Sequence, residues 1–199
     1  FTGLKDYGYC IKCVFITGIT KFTQISMFGM LNTLVNISFR NEYAAICGFT
    51  KDEVICNFSE HLSELADNNA ITKSALMDTM SSIYGGYHFS SGLIVVCNPF
   101  SVCNALVNLR LNSYWIASGS NEMLLKVLRK FINEIPELDN CLIDSDYLEM
   151  SDVKMNDPKL FLYQFGYLTI KKVVGSSYML GYPNREVRNA MLGMSLPNG

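Results

Sequence analysis

The sequence is poor in charge of either sign. Charged residues make up 17% of its 199 residues, whereas about 25% is usual for globular domains. The 16 Lys and Arg against 18 Asp and Glu give a net charge of −2, so the basic excess that accompanies general nucleic-acid binding is missing. Apolar runs are short as well, for example Cys13 to Ile16 and Leu93 to Cys97. Because a membrane-spanning helix needs about 20 apolar residues, the sequence predicts no association with a membrane.

The cysteine pattern is not that of a secreted disulfide scaffold, which is usually short, loop-rich and even in cysteine number. The seven cysteines are an odd number and are spread over predicted helices and strands. We interpret them as reduced thiols and expect a cytoplasmic protein. The first residue is Phe1, and no signal-peptide pattern follows it, so we expect the sequence to be cut from a longer protein.

The usual sequence patterns of a catalytic or phosphate-binding site are missing. No G-x-x-x-x-G-K-[ST] or G-x-G-x-x-G occurs, so no glycine-rich loop can present its N–H groups to phosphates. Cys10 and Cys13 form a C-x-x-C without a second pair at zinc spacing. Neither His61 nor His88 has an evident catalytic partner. The acidic residues between 139 and 152 fit no calcium loop, and we interpret them as a solvated linker.

The strongest candidate site follows an apolar run near the start of the chain. Residues 10–17 are β-branched and apolar up to Thr17-Gly18, which predicts an interior strand of a parallel sheet. Thr17, Thr20 and Lys21 would then lie at the carboxyl edge of the sheet, where ligands bind in α/β folds. They could orient a terminal phosphate or its attacking water. Alternatively, the two threonines satisfy the strand end and cap the next helix.

Four amphipathic helices are predicted after residue 49, beginning at Thr50, Thr72, Asn98 and about Asn121. The first begins with a capping box, and the third has Asn98 as its N-cap with proline at the first helical position. For the third helix we expect the inward residues to be Cys103, Leu106 and Val107. These helices predict a helical subdomain.

The last third predicts a helix, a hairpin and a final helix. Asp157-Pro158 begins a helix that runs to Gln164, residues 167–174 and 177–182 form the hairpin, and Asn184 caps the last helix. This order is compatible with a winged-helix arrangement. The predicted helices carry few basic residues, so a structural or protein-contact wing is favoured over a DNA-binding one. Linkers are expected at 135–140 and 144–152.

Seven motifs occur in an order that closely resembles the bacterial AAA-ATPase-like family, and the resemblance covers essentially the whole chain. The motifs are Val14-Phe-Ile-Thr-Gly-Ile-Thr-Lys-Phe-Thr23, Glu42-Tyr-Ala-Ala-Ile-Cys-Gly48, Tyr84-Gly-Gly-Tyr-His-Phe-Ser90, Asn98-Pro-Phe-Ser101, Tyr114-Trp-Ile-Ala-Ser-Gly119, Leu162-Tyr-Gln-Phe-Gly-Tyr-Leu-Thr-Ile170 and Leu180-Gly-Tyr-Pro-Asn-Arg-Glu-Val-Arg188. Members of this family usually carry a C-terminal nuclease-like domain of the PD-(D/E)XK type.

The resemblance implies a P-loop ATPase from which the Walker A and B motifs, upstream of Phe1, and the nuclease-like domain, downstream of Gly199, are missing. Residues 1–40 would be the end of the ATPase core, 41–135 a helical lid and 136–199 a winged-helix-like module. Thr17, Thr20 and Lys21 match the family's strand-end motif and would face the nucleotide phosphates, and the helix that starts at Asn98 to Ser101 would lie near the base.

The resulting fold prediction is a mixed, mainly α-helical chain with few strands. The predicted function is a fragment of an ATPase whose parent binds ATP and Mg²⁺. Without a Walker lysine and a magnesium-binding acid, the chain alone should not hydrolyse ATP. Its predicted partners are the upstream core and the downstream nuclease-like domain of the same parent. Alternatives are a non-catalytic module that binds a protein or, with weaker support, nucleic acid, and an enzyme that uses the thiols of Cys10 and Cys13.

One departure from the family pattern concerns the turn after the second helix. The family usually has Tyr-Asp-Gly-Tyr where this sequence has Tyr84-Gly85-Gly86-Tyr87. Any part that the family's acid plays in positioning the lid is therefore in doubt for this chain.

Overall fold

The computed structural model describes residues 10–18, 35–117, 130–149 and 157–195. Within these ranges the fold is mixed and rich in helix, and a small antiparallel sheet follows a group of helices. The helices are α1 (Lys51–Asn57), α2 (Ser59–Asn68), α3 (Lys73–Tyr84), α4 (Pro99–Asn108), α5 (Tyr114–Ala117), α6 (Ser145–Glu149), α7 (Pro158–Gln164) and α8 (Arg185–Ser195), and 3-10 helices span Asn41–Tyr43 and Ile132–Leu138. The strands are β1 (Cys141–Asp144), β2 (Thr169–Val174) and β3 (Ser177–Gly181).

The predicted helix starts at Thr50, Thr72 and Asn98 are confirmed. Each of these side chains accepts a hydrogen bond from a backbone N–H one turn into its helix, and Thr50 forms the complete capping box with Glu53. The first predicted helix is interrupted, however, because Phe58 separates α1 from α2. The fourth predicted helix, from about Asn121, falls mostly on residues outside the described ranges.

The helical group, α1 to α4, encloses a core of its own. Val54, Leu65, Leu76, Met80 and Tyr84 are each at most 1% exposed and pack together with α4. At about 25 cal/mol per Å² of buried apolar surface, such side chains supply most of the stabilisation of the group.

The predicted inward face of α4 is wrong in two of its three residues. Leu106 is buried, but Cys103 and Val107 are exposed, and Val102 and Ala105 face the core instead. Apolar residues lie on both sides of this helix, so its hydrophobic period did not determine which side would be buried.

The sheet packs against α7, α8 and the 3-10 helix Ile132–Leu138. β3 lies between β1 and β2 and is antiparallel to both, with Tyr178 opposite Ile143 on one side and Val173 on the other. The predicted hairpin and the helix capped by Asn184 are confirmed: the side chain of Asn184 accepts from the N–H of Val187, 3.1 Å away.

The two predicted linkers are wrong where the structure describes them. Ile135 and Leu138 are 0% and 2% exposed, and Leu148 in α6 is 1% exposed in the core beneath the sheet. Glu137, Asp144 and Asp146 are exposed between these apolar residues, so the high acidic content concealed an amphipathic pattern.

The predicted interior strand at residues 10–17 is also wrong in the described structure. All residues from 10 to 18 are exposed, Phe15 by 60%, and none is in a strand. An apolar strand is buried only when neighbouring strands pair with it and helices cover it. The three strands of the described sheet pair with one another and not with this segment. No helix in the described ranges has the length and apolar character needed to cross a membrane.

Candidate functional site

The residues that join the helical group to the sheet converge on one buried carboxylate, that of Glu186. It lies in the first turn of α8, which begins after Pro183-Asn184 because Asn184 supplies the N-cap. A glutamate in the first helical turn usually points to water, where it also interacts favourably with the helix dipole. Glu186 is only 4% exposed.

The Glu186 carboxylate accepts three hydrogen bonds. Oε1 accepts from the backbone N–H of Trp115, at 2.7 Å, and from that of Ile116, at 3.3 Å. Oε2 accepts from the hydroxyl of Ser101, at 3.1 Å. The donors belong to α5 and α4, so one side chain of α8 is bonded both to α4 of the helical group and to the short helix α5.

Burial and hydrogen bonding act on the acidity of Glu186 in opposite directions. Removal from water disfavours the carboxylate and raises its pKa, while the N–H groups of Ile116 and Trp115 and the hydroxyl of Ser101 favour it. Burial has the larger effect, so the pKa lies above the ordinary 4.5. Tyr84, whose hydroxyl donates to the carbonyl of Asn112, also has a raised pKa, mainly through burial.

A second set of hydrogen bonds joins the turn after α3 to the sheet. The Thr169 hydroxyl accepts from the N–H of His88, at 2.8 Å, and donates to its carbonyl, at 3.0 Å. The amide of Asn184 donates to the carbonyl of Gly85, at 2.9 Å. Burial and the positive charge of Lys171 lower the pKa of His88.

The glycine pair in this turn is required by close packing of the backbone. Gly86 has φ +77°, and a Cβ there would collide with the carbonyl of Pro183. A Cβ at Gly85 would lie 2.5 Å from the carbonyl oxygen of Ser81. An aspartate therefore does not fit at Gly85 unless the end of α3 shifts.

The structure brings together two of the predicted site residues. Asn98 accepts from the N–H of Ser101, at 3.3 Å, and the Ser101 hydroxyl is the donor to Glu186. Ser101 is fully buried. Both side chains thus have structural partners, and their contact with a nucleotide stays a prediction.

The other predicted site residues lie apart from this junction or outside the described ranges. Thr17 is exposed in the segment 10–18, and no hydrogen bond in the described part of the chain joins it to Asn98 or Ser101. Thr20 and Lys21 lie outside the described residues.

A polar cavity of about 240 Å³ lies beside the junction. Its wall includes Glu186, Arg185 and Asn189 of α8, together with Asn112 and Ser113 from the loop before α5. The guanidinium and the side-chain amides supply donors for an anionic or polar ligand, whereas the carboxylate opposes a strong anion. Among the described residues, no group of three or more His, Cys, Asp or Glu could hold a metal ion.

Sequence reasoning missed Glu186, the central residue of the junction. The residue is part of the motif Leu180–Arg188, but nothing in the nearby sequence distinguishes it from a solvent-exposed charged residue. Arg185 and Arg188, which are also charged and also lie in α8, are indeed exposed. The backbone donors at Trp115 and Ile116 carry no side-chain signature either. Of the residues that bond to one another at this junction, the sequence pointed only to Ser101, as part of the helix start Asn98–Ser101.

The comparisons with known proteins identify an uncharacterised relative and indicate no function. No family model matches the chain, and no solved structure matches it. The chain is 27% identical over 195 residues to a protein of Azotobacter chroococcum mcd 1 described as "Uncharacterized protein in vnfD 5'region". The aligned part covers 96% of this chain and 36% of that relative, so the chain spans about a third of the relative's length.

Proposed function

We propose that this chain forms the lid and the wing of an AAA-like P-loop ATPase, with residues 1–40 as the end of the ATPase core. The ordered sequence motifs support this assignment. The element order from Ile132 onward supports a winged-helix module: helix, β1, two helices, then the hairpin of β2 and β3, with β3 in the middle of the sheet.

The observation that carries the proposal is the buried junction at Glu186. Its three hydrogen bonds join the wing helix α8 to α4 and α5. Rotation of the wing against the lid would leave a buried carboxylate and its donors unpaired, which costs roughly 1–3 kcal/mol for each group and more for the charged one. We therefore expect the two parts to move as one body when a nucleotide-dependent change in the core displaces either of them.

The nucleotide site would be completed by the parent protein. Its Walker motifs would hold ATP and Mg²⁺, and Thr17, Thr20 and Lys21 would face the phosphates. The apolar and exposed segment 10–18 would be covered there by the strands and helices of the core. Asn98 and Ser101 would form the start of the lid helix near the base.

The test is calorimetric titration of this chain, and of a longer form that adds the upstream core, with a non-hydrolysable ATP analogue and Mg²⁺. Binding only by the longer form is expected. In that form, Thr17→Ala and Lys21→Ala should each weaken binding at least about ten-fold, since one hydrogen bond to a charged group is worth about 1.5–3 kcal/mol, while the control Lys12→Ala should not. A longer form that binds no nucleotide contradicts the proposal.

A specific observation also favours the alternative, a non-catalytic module that binds a protein. The outer face of α4 exposes Phe100 by 47% and Val107 by 78%. Nucleic acid is a poorer partner, because α7 has a single basic residue, Lys159, and its ammonium donates to the carbonyl of Leu142, 3.1 Å away. A nucleic-acid complex would lose affinity steeply with salt, whereas apolar protein binding would not.

The cytoplasmic location also remains part of the proposal. All seven cysteines are free, and five of them are exposed. Exposed free thiols persist where the redox environment is reducing.

A further inference from the structure

A groove on the helical group is separate from the junction. It lies where α1, α2 and α3 meet and has a volume of about 270 Å³. Its lining is mainly apolar, from Ile55, Leu62 and Met77. Leu62 and Met77 are 2% and 3% exposed and form the floor, whereas Ile55 is 41% exposed on the wall.

The charged residues that line this groove are both lysines, Lys51 and Lys73, and no acidic residue lines it. Lys73 donates to the carbonyl of Ser59, at 3.3 Å, and Lys51 pairs with Asp78, at 3.2 Å. The Lys51 pair is weak because both of its side chains are more than half exposed. An ammonium has three donors, so each lysine can bind a further acceptor at the rim of the groove.

We propose that this groove binds a peptide segment of a partner protein in which a large apolar side chain stands next to an acidic one. The apolar side chain would fill the groove over Leu62 and Met77, and its carboxylate neighbour would reach Lys73 and Lys51. Charge complementarity identifies the occupant, since an apolar floor between two ammonium groups favours an apolar group that carries a negative charge. This inference goes beyond the ATPase proposal and does not depend on it.

The size of the groove agrees with recognition of a single side chain. All of the lining residues belong to three helices that are already packed together, so the groove exists before binding and little ordering is needed. Apolar surface at Ile55 that faces water in the free chain would be buried in the complex, at about 25 cal/mol per Å².

The experiment selects short random peptides displayed on phage with the whole chain as target. Peptides that also bind the variant Ser74→Phe are removed first. Ser74 is an exposed residue of the groove wall in the first turn of α3, so the phenylalanine ring should fill the groove without entering the core. We expect the enriched peptides to share an apolar residue beside Asp or Glu.

The affinity of an enriched, fluorescein-labelled peptide then tests the charge. Lys73→Glu should weaken binding about five-fold by replacing attraction with repulsion at an exposed site. The substitution should not destabilise the fold, because position 73 lies in the first turn of α3, where the helix dipole favours an acidic side chain. The matched control Lys172→Glu changes an exposed lysine of β2 and should leave affinity unchanged. Higher salt should weaken binding to the wild type.

Three outcomes overturn the proposal. Selection could enrich no peptide, the enriched peptides could carry basic instead of acidic residues, or they could bind Lys73→Glu as well as the wild type. A nucleotide result with the longer form changes none of these outcomes, so failure of the ATPase proposal and failure of this one are distinguishable.

Discussion

Replacement of Glu186 tests whether one buried carboxylate holds the helical group and the sheet together. Glu186→Ala removes the acceptor for the N–H groups of Trp115 and Ile116 and for the hydroxyl of Ser101. Each hydrogen bond to a charged group is worth about 1.5–3 kcal/mol, but desolvation of the carboxylate offsets part of the sum. We expect the alanine variant to lose about 3 kcal/mol of unfolding free energy.

Glu186→Gln separates the hydrogen bonds from the charge. The amide keeps an acceptor for the two backbone donors and offers an N–H to the oxygen of Ser101. It also removes the cost of burying a charge, so we expect its stability to lie within about 1 kcal/mol of the wild type.

Urea unfolding followed by circular dichroism measures both variants, and the midpoints are comparable if the slopes agree. Glu60→Ala is the matched control, because Glu60 also lies in the first turn of a helix but is exposed. Equal losses for Gln and Ala would refute the reasoning, since the hydrogen-bond acceptor would then be irrelevant. An alanine variant as stable as the Glu60 control would refute it as well.

Because the pKa of Glu186 is raised, the free energy of unfolding should depend on pH in a definite direction. The folded state holds the proton more tightly than the unfolded state, whose glutamate has a pKa near the ordinary 4.5. The corresponding stabilisation is complete below that value and is lost as the pH rises through the folded pKa. The wild type should therefore lose stability relative to Glu186→Gln from pH 4.5 upward, and a constant difference would contradict the assigned pKa.

Two further predictions concern backbone packing and thiol accessibility. Gly86→Ala and Gly175→Ala both place a side chain at positive φ, at a cost of about 1–2 kcal/mol, but only Gly86→Ala also collides with the carbonyl of Pro183. We expect its urea midpoint to be the lower of the two, and equal midpoints would show that the close approach is relieved cheaply. Cys97 is 4% exposed and burial raises its pKa to about 11, whereas Cys103 is exposed. A thiol reagent at mildly alkaline pH should modify Cys103 in the native protein and Cys97 only after unfolding, as peptide mass spectrometry would determine; rapid native labelling of Cys97 would contradict its burial.

The parts of the fold that follow local rules were predictable from the sequence. Thr50, Thr72 and Asn98 precede helices because their side-chain oxygens accept hydrogen bonds from the free N–H groups of the first helical turn. An apolar pattern of helical period follows each of them. The hairpin of β2 and β3 was also predictable, because Gly175-Ser176 separates two β-rich runs. The buried face of α4 was not predictable. Whether Val102 or Cys103 points inward depends on which side of α4 packs against α2 and α3, and the sequence of α4 does not determine this.

The junction depends on contacts across long stretches of sequence. Glu186 meets Ser101 across 85 positions and Trp115 across 71, and backbone donors provide most of its bonds. Neither composition nor periodicity reports such a contact, since the same glutamate on a solvated helix would have the same neighbours in sequence.

The burial of Ser101 limits where a bound nucleotide could contact the described part of the chain. Ser101 is buried and already donates to Glu186, so a nucleotide could contact its hydroxyl only by opening the junction. The exposed Thr17 requires no such opening. If the parent binds ATP, the lower-cost arrangement has the phosphates contacted from the segment around Thr17, while Ser101 keeps its hydrogen bond to Glu186 and α4 stays joined to α8.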